Sequence, residues 1–288
     1  YHRGCGAGDA GGMNGCNHNP RASRIHRAFA SAKEQQRPAF VAYVTCGDPT
    51  LDRTRQLAVE FAGAGVDILE LGVPFTDPMA DGTANQEAAL RALANGVTLR
   101  HVLQTTEALR GRGLELPVVL FTYYNPVFVY GVEKFAADAV SAGVDGVLLV
   151  DVPVEEAQEF KPAFDHAGLA TIFLVAPTTD DRRLPHILGL TNGFVYCVSR
   201  SGVTGERNGL ASGIRENVAR IRRLTQLPVA VGFGISSREQ VREIGQFADG
   251  VVVGSAIVRR IGEGGDTDEM VCRVTEFVRT LTGQFIGG

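Results

Sequence analysis

The chain has 288 residues, 44% of them hydrophobic, with a formal net charge of −4 and a pI near 5.9. This length suits one α/β barrel, and the acidic balance argues against a nucleic-acid partner, because phosphate binding requires clustered Lys and Arg. Five scattered cysteines without CxxC spacing, and no apolar run near the ~18 residues of a membrane span, predict a cytoplasmic protein without a disulfide framework or a membrane partner.

The first residues differ in composition from the rest of the chain. Residues 1–20 contain six glycines and no hydrophobic periodicity, which predicts a disordered tail ahead of one catalytic domain over residues 21–288. In residues 21–33, Ile25, Phe29 and Ala32 recur at helical spacing. This pattern predicts a helix that plugs one end of a barrel.

From residue 39 onward, short apolar and β-branched runs alternate with helical patterns. Eight strands are predicted, at residues 39–46, 66–72, 117–123, 143–151, 170–177, 193–199, 228–234 and 250–255. Continuous apolar strands separated by helices are typical of a parallel sheet covered on both faces. Eight such units predict a single (β/α)8 TIM barrel, and the wide gaps after the second and sixth strands indicate active-site insertions.

Lysine and histidine positions narrow the possible chemistry. The three lysines, Lys33, Lys134 and Lys161, fall on predicted helices, so no strand offers an amine for an imine with substrate or with a cofactor. The six histidines lie in the tail or in helical segments, so neither a metal site nor a Ser–His or Cys–His pair is indicated at the strand ends. Acid–base catalysis by carboxylates remains.

Two acidic residues near the second strand are the candidates for this catalysis. Glu70 interrupts the otherwise apolar run 68–71, where burial would raise the pKa of its carboxyl into the range useful for proton transfer. A purely structural carboxylate is the alternative. Asp81 follows in the loop 73–82 and, taken alone, would be an ordinary Asp-Gly turn residue. Asp77 precedes Pro78 and is interpreted as a turn or cap residue.

Glycine-rich segments follow the last three predicted strands. They lie at residues 201–205, 232–237 and 254–255. In TIM barrels the loops after strands 7 and 8 commonly bind phosphate through backbone N–H groups, so a phosphorylated substrate is predicted. The segment 202–213, with four glycines, is interpreted as a mobile lid, with an ordinary surface loop as the alternative.

The run at residues 70–82, ELGVPFTDPMADG, resembles the signature of the tryptophan synthase alpha subunit family. Further matching motifs are TCGDP at 45–49, YYNP at 123–126, DVPVEE at 151–156, SRSGVTG at 199–205 and GFGIS at 232–236. The resemblance spans about residues 21–262. Thr76 replaces the family's Ser, and Thr83, Ala84 and Asn85 replace its Pro-x-Ile, which puts the coupling to a partner in doubt.

The resemblance implies cleavage of indole-3-glycerol phosphate to indole and glyceraldehyde 3-phosphate in tryptophan biosynthesis. It implies that Glu70 is the general acid, Asp81 the second catalytic carboxylate, and Tyr196 a side chain beside the reacting centre. The implied substrate contacts are Tyr43, Phe121, Thr204, Gly205, Gly234, Gly254 and Ser255. It also implies no cofactor in this chain and an α2β2 heterotetramer with a beta subunit that carries pyridoxal phosphate.

Three alternatives remain open at this point. A stand-alone lyase would release free indole. A catalytically inactive barrel would only bind and activate a beta-type partner, although the presence of both carboxylates speaks against it. Another phosphate-binding barrel, such as a sugar-phosphate isomerase, would not be expected to carry the 70–82 signature.

Overall fold

A computed structural model of the chain describes residues 23–198, 207–232 and 234–284, and its strands form one parallel sheet. The strands are β1 Ala39–Thr45, β2 Ile68–Gly72, β3 Val118–Thr122, β4 Gly146–Leu149, β5 Ala170–Ile172, β6 Leu174–Val175, β7 Val195–Val198, β8 Val229–Gly232 and β9 Gly250–Val253. Their order is β5-β4-β3-β2-β1-β9-β8-β7-β6.

The two ends of this order belong to a single interrupted strand. Only Phe173 separates β5 from β6, and the Phe173 carbonyl accepts a hydrogen bond from the Tyr196 N–H at 3.2 Å. Because β5 pairs with β4 and β6 pairs with β7, the sheet closes into a barrel of eight strands. The predicted (β/α)8 barrel and all eight of its strands are confirmed.

Helices surround the barrel. They are α1 Arg24–Glu34, α2 Leu51–Gly63, α3 Thr83–Ala94, α4 Leu99–Gly111, α5 Tyr124–Tyr130, α6 Val132–Ser141, α7 Lys161–Ala167, α8 Leu184–Leu190, α9 Arg207–Arg222, α10 Arg238–Gly245, α11 Ser255–Gly264 and α12 Asp268–Thr282, with a 3₁₀ helix at Val154–Glu159. The interpretation of residues 202–213 as a loop is wrong from residue 207 onward, because α9 begins there. The predicted tail, residues 1–20, lies outside the described residues.

Helix α1 plugs the N-terminal end of the barrel, as predicted. Its buried residues Ile25, Phe29 and Ala32 join the apolar barrel interior, and the Phe29 and Phe194 ring centroids lie 5.5 Å apart. The plug needs a close approach to the first residue of β9: a Cβ at Gly250 would lie 2.9 Å from the Phe29 ring. A second apolar layer lies between the strands and the outer helices, with Leu57, Phe61, Phe135, Phe160 and Phe164 among its fully buried side chains.

The same hydrogen-bonded device recurs four times at this end of the barrel. A residue just before β2, β4, β7 or β9 donates its backbone N–H to the carbonyl of a residue at the start of the preceding barrel strand. The side chain of the first residue in turn accepts a hydrogen bond from the backbone N–H of that strand residue. These base clasps are Asp67 with Phe40, Asp145 with Val118, Asn192 with Thr171 and Asp249 with Val229, with side-chain distances of 2.7, 2.8, 2.6 and 2.9 Å.

Arginines complete three of the base clasps. They pair Arg37 with Asp67, Arg110 with Asp145 and Arg222 with Asp249. Each clasp therefore satisfies a backbone N–H at a strand start, where it would otherwise lack a ladder partner.

Within the ranges described above, no helix is both long and apolar enough to cross a membrane.

Candidate active site

Glu70 lies in β2, and its carboxyl group is deeply buried at the C-terminal mouth of the barrel. The residue is 1% exposed, and its Oε1 atom has no hydrogen-bond partner among the described residues. Burial raises the pKa of the Glu70 carboxyl to about 8, with a smaller contribution from the negative charge of Asp81. A carboxyl group with a pKa in this range is mostly protonated at neutral pH.

Asp81 lies in the loop between β2 and α3, and it is hydrogen-bonded where Glu70 is not. The Tyr123 hydroxyl donates to Oδ2 of Asp81 at 2.8 Å, and the Asn85 amide donates to Oδ1 at 3.3 Å. Burial raises the pKa of Asp81, whereas these two donors oppose the rise. Among the described residues, the mouth thus holds two carboxyl groups in different environments: Oε1 of Glu70 has no donor, whereas each oxygen of Asp81 has one.

Aromatic side chains from three strands surround the carboxyl groups. The Tyr43 ring meets the Phe121 ring edge-on, with centroids 5.2 Å apart, and Tyr196 reaches the mouth from β7. Burial and the charge of Asp81 raise the pKa of Tyr43, and burial and the charge of Glu70 raise that of Tyr196. Both phenols are therefore neutral, and with Phe121 they form a group of aromatic rings beside the carboxyls, here called the aromatic slot.

Two glycines leave room for these phenols. A Cβ at Gly72 would lie 2.2 Å from the Tyr43 hydroxyl, and a Cβ at Gly232 would lie 2.5 Å from the Tyr196 hydroxyl. Neither distance is sterically possible, so the glycines are needed where the tyrosines cross the strand ends.

A helix N-terminus faces the mouth from the eighth unit of the barrel. Gly254 is the N-cap of α11, and Ser255 is its first residue, so the first N–H groups of this helix have no partner within the helix. Gly234 follows β8 with a φ of +68°, a conformation that glycine adopts readily. These are backbone positions suited to an anion. Thr204 and Gly205 lie outside the described residues.

The segment that carries Asp81 is anchored on both sides. The Gln86 amide donates to the Asp81 carbonyl at 2.9 Å, and the Ala80 N–H donates to the Tyr123 hydroxyl at 2.9 Å. Further along α3, Arg91 forms two hydrogen bonds of 2.7 and 2.9 Å with the buried carboxylate of Asp48. The C-terminal half of α3 is thereby fixed against the loop that follows β1.

Sequence reasoning did not identify Tyr123 and Asn85 as partners of Asp81. Tyr123 stood in a family motif and at a predicted strand end, but its contact with Asp81 depends on the register between β2 and β3. Asn85 was identified only as a departure from the family pattern, although its position four residues after Asp81 is a spacing at which side chains meet on a helix.

The arrangement defines a class of protein: a TIM-barrel enzyme with a carboxyl pair and an aromatic slot at the C-terminal ends of its strands. In the part of the chain that the structure describes, no group of three or more His, Cys, Asp or Glu residues could hold a metal ion. A family model described as tryptophan synthase alpha chain matches residues 29–284. The chain belongs to the tryptophan synthase alpha chain family.

Individual relatives agree with this assignment. The chain is 50% identical to the tryptophan synthase alpha chain of Geotalea daltonii, covering 82% of this chain and 89% of the relative, and 49% identical to that of Geotalea uraniireducens, covering 90% and 96%. Among solved structures, aminoacrylate-bound tryptophan synthase from M. tuberculosis matches with a TM-score of 0.81 at 35% identity, covering 91% and 99%. The α2β2 complex from Pyrococcus furiosus matches with a TM-score of 0.80 at 42% identity, covering 85% and 98%.

Proposed function

We propose that this chain cleaves indole-3-glycerol phosphate to indole and glyceraldehyde 3-phosphate as the alpha subunit of a tryptophan synthase. The observation that carries the proposal is the buried Glu70 carboxyl beside the hydrogen-bonded Asp81: its Oε1 atom has no donor among the described residues, and its pKa is raised to about 8. Family membership over residues 29–284 supports the same reaction.

The reaction is a retro-aldol cleavage in which the substrate supplies its own electron sink. Glu70 donates a proton to C3 of the indole, and the ring then accepts the electrons of the breaking bond between C3 and the glycerol chain. The hydroxyl next to that bond loses its proton, with help from the Glu70 carboxylate just formed, and becomes the aldehyde of glyceraldehyde 3-phosphate. Asp81 binds the indole N–H as positive charge develops on the ring.

The other predicted residues position the substrate. Tyr43, Phe121 and Tyr196 form the slot for the indole ring. The backbone around Gly234, Gly254 and Ser255 would bind the phosphate, together with Thr204 and Gly205. Binding the phosphate remote from the bond that breaks contributes positioning energy to the reacting end. This chemistry requires neither an imine nor a metal, so we propose that the alpha chain works without a cofactor and that pyridoxal phosphate belongs to the beta subunit.

Exposed apolar residues at the mouth support a protein partner there. Met79 in the β2–α3 loop is 92% exposed, and Phe128 and Val129 on α5 are 63% and 76% exposed. Both segments follow the C-terminal ends of neighbouring strands, so these three residues, here called the rim patch, lie beside the active site. Exposed apolar side chains that cluster commonly mark an interface. We propose that the beta subunit covers the rim patch in the cytoplasm.

A stand-alone lyase is not favoured, since the relatives reported above are tryptophan synthase alpha chains. The deciding experiment is incubation of the purified chain with indole-3-glycerol phosphate, with and without a beta subunit, while indole is measured. We expect slow release of indole by the chain alone and faster turnover with the partner. Phe128→Asp should reduce the gain from the partner and leave the basal rate intact. No indole under either condition would refute the proposal, and indole without any response to the beta subunit would favour the stand-alone lyase.

A further inference from the structure

Asn85 lies in the first turn of α3, where this helix covers the aromatic slot. The neighbouring Ala84 packs, as Phe121 does, against the cluster that Tyr43 forms with Ala88 and Val258, and the Asn85 N–H donates to the Gly82 carbonyl at 3.0 Å. The side-chain amide donates to Oδ1 of Asp81 at 3.3 Å. Asn85 is therefore a direct neighbour of a carboxylate that the proposed function places on the substrate.

The other end of the same amide has no protein partner. Oδ1 of Asn85 is buried and accepts no hydrogen bond from the described residues. A buried acceptor without a donor lowers the stability of the folded state. An apolar residue of the same size, such as leucine, would avoid this cost, and the family signature itself has an apolar isoleucine here. Stability alone therefore does not account for an asparagine at this position.

We propose that Asn85 is a positioning residue for the lyase reaction, holding the Asp81 carboxylate ionised and turned toward the indole N–H of the substrate. This inference rests on the proposed function. Tyr123 occupies one oxygen of Asp81 and Asn85 the other, so the two donors fix the rotation of the carboxylate as well as its charge. Both donors favour the negatively charged form of Asp81 and oppose the rise in pKa that its burial causes.

Among the described residues, four titratable side chains interact electrostatically with Asp81. They are Glu70 from β2, Tyr43 from β1, Tyr196 from β7 and Tyr123 after β3. The raised pKa values of Glu70 and the three phenols make these groups neutral near pH 7. The titration of Asp81 near neutral pH is therefore governed by its burial and by its two donors.

The test compares Asn85→Leu with Asn85→Gln in the full chain. Leucine removes the donor and keeps the volume, whereas glutamine keeps a donor that can reach an aspartate at this helical spacing. Carbon-13 NMR of labelled aspartate carboxyls, with the Asp81 signal assigned by Asp81→Asn, should show the pKa of Asp81 raised by about one unit in Asn85→Leu. The acid limb of the pH profile of kcat/KM for indole formation should move upward with it. We expect kcat to fall about tenfold, with partial recovery in Asn85→Gln.

Two comparisons separate positioning from a structural role. Asn95, at the other end of α3, is exposed and donates to the Pro49 carbonyl, so Asn95→Leu should leave the Asp81 titration and the pH profile unchanged. The Tm of Asn85→Leu should equal or exceed that of the wild type, because the orphaned oxygen is gone. An unmoved Asp81 titration in a folded Asn85→Leu overturns the proposal. Absence of indole formation by the wild type would refute the lyase function instead, while the NMR titration would still decide the role of Asn85.

Discussion

Two buried carboxyl groups at opposite ends of the barrel, Asp145 and Glu70, have opposite hydrogen-bond environments. At the N-terminal end, Asp145 accepts the Val118 N–H at 2.8 Å and pairs with Arg110 at 2.7 Å. At the C-terminal end, Glu70 is buried at least as deeply, yet one of its oxygens has no partner within the part of the chain that the structure describes. The difference therefore lies in the hydrogen-bond partners of the two groups, since both are largely removed from water.

This difference separates stability from reactivity within one fold. A buried carboxylate with its donors in place stabilises the strands that it joins, whereas a buried carboxyl without donors destabilises its own ionised form. The second situation makes Glu70 a usable acid at neutral pH. Substitutions at the mouth should therefore change turnover, and substitutions at the base should change the free energy of unfolding.

The largest expected effect is on turnover in Glu70→Gln. The amide keeps the shape of the side chain but cannot donate and recover a proton, so kcat should fall roughly 10²–10⁴-fold while KM changes little. Steady-state measurement of indole release checks this. Glu60→Gln on the exposed face of α2 is the matched control and should behave as wild type. Near-normal activity in Glu70→Gln would show that Glu70 is merely structural.

A smaller loss is expected for Asp81→Asn. The amide is uncharged, so it cannot stabilise positive charge on the indole, and kcat should fall about 10²-fold. Asp77→Asn changes an exposed carboxylate in the same loop and should leave kcat unaltered. Equal losses in both variants would mean that the loop's conformation, and not the charge of Asp81, is what the reaction requires.

The strands were predictable from sequence because eight apolar runs recur at the spacing of a strand plus a helix. Their ends were less predictable, since apolar composition continues past the last ladder bond: the fifth predicted strand, 170–177, ends at Val175 and is interrupted at Phe173. The expectation of irregular structure was wrong from residue 207, where α9 begins, because each glycine lowers intrinsic helix propensity by about 1 kcal/mol and the folded context overrides this.

Within the candidate site, Glu70 was predictable for a different reason from its surroundings. A single charge in an apolar strand stands out in any sequence. The Tyr123–Asp81 bond joins residues 42 apart, and each base clasp joins the starts of two strands, so both depend on the register of the closed barrel. No local pattern encodes that register. Asn85 carries a local signal, its spacing from Asp81, but the signal gains meaning only once Asp81 is placed at the mouth.

At the base, Asp145→Ala should lower the free energy of unfolding by about 2–4 kcal/mol, because it leaves the Val118 N–H and the Arg110 guanidinium without their partner. Urea unfolding followed by circular dichroism measures this, and kcat of the folded enzyme should not change. Asp145→Asn is the natural control, since Asn192 performs the same backbone contact as an amide in another base clasp. We expect its loss to be about half that of alanine. Loss of kcat in the folded alanine variant would contradict the separation of the two ends.

The smallest expected effect concerns Glu70, whose protonation affects both turnover and the free energy of unfolding. The folded-state pKa of Glu70, about 8, exceeds its ordinary value of 4.5, so between these values the folded chain holds a proton that the unfolded chain has released. The contribution of Glu70 to the free energy of unfolding is therefore complete below pH 4.5. It is lost as the pH rises from there toward about 8, at about 1.4 kcal/mol per pH unit. Glu70→Gln has no such titration, so its stability relative to wild type should increase by this amount from pH 6 to pH 7 in urea unfolding. If the difference in stability between Glu70→Gln and wild type stays constant from pH 6 to pH 7, Glu70 is already ionised in the folded protein. Glu70 could then not act as the acid of the proposed reaction.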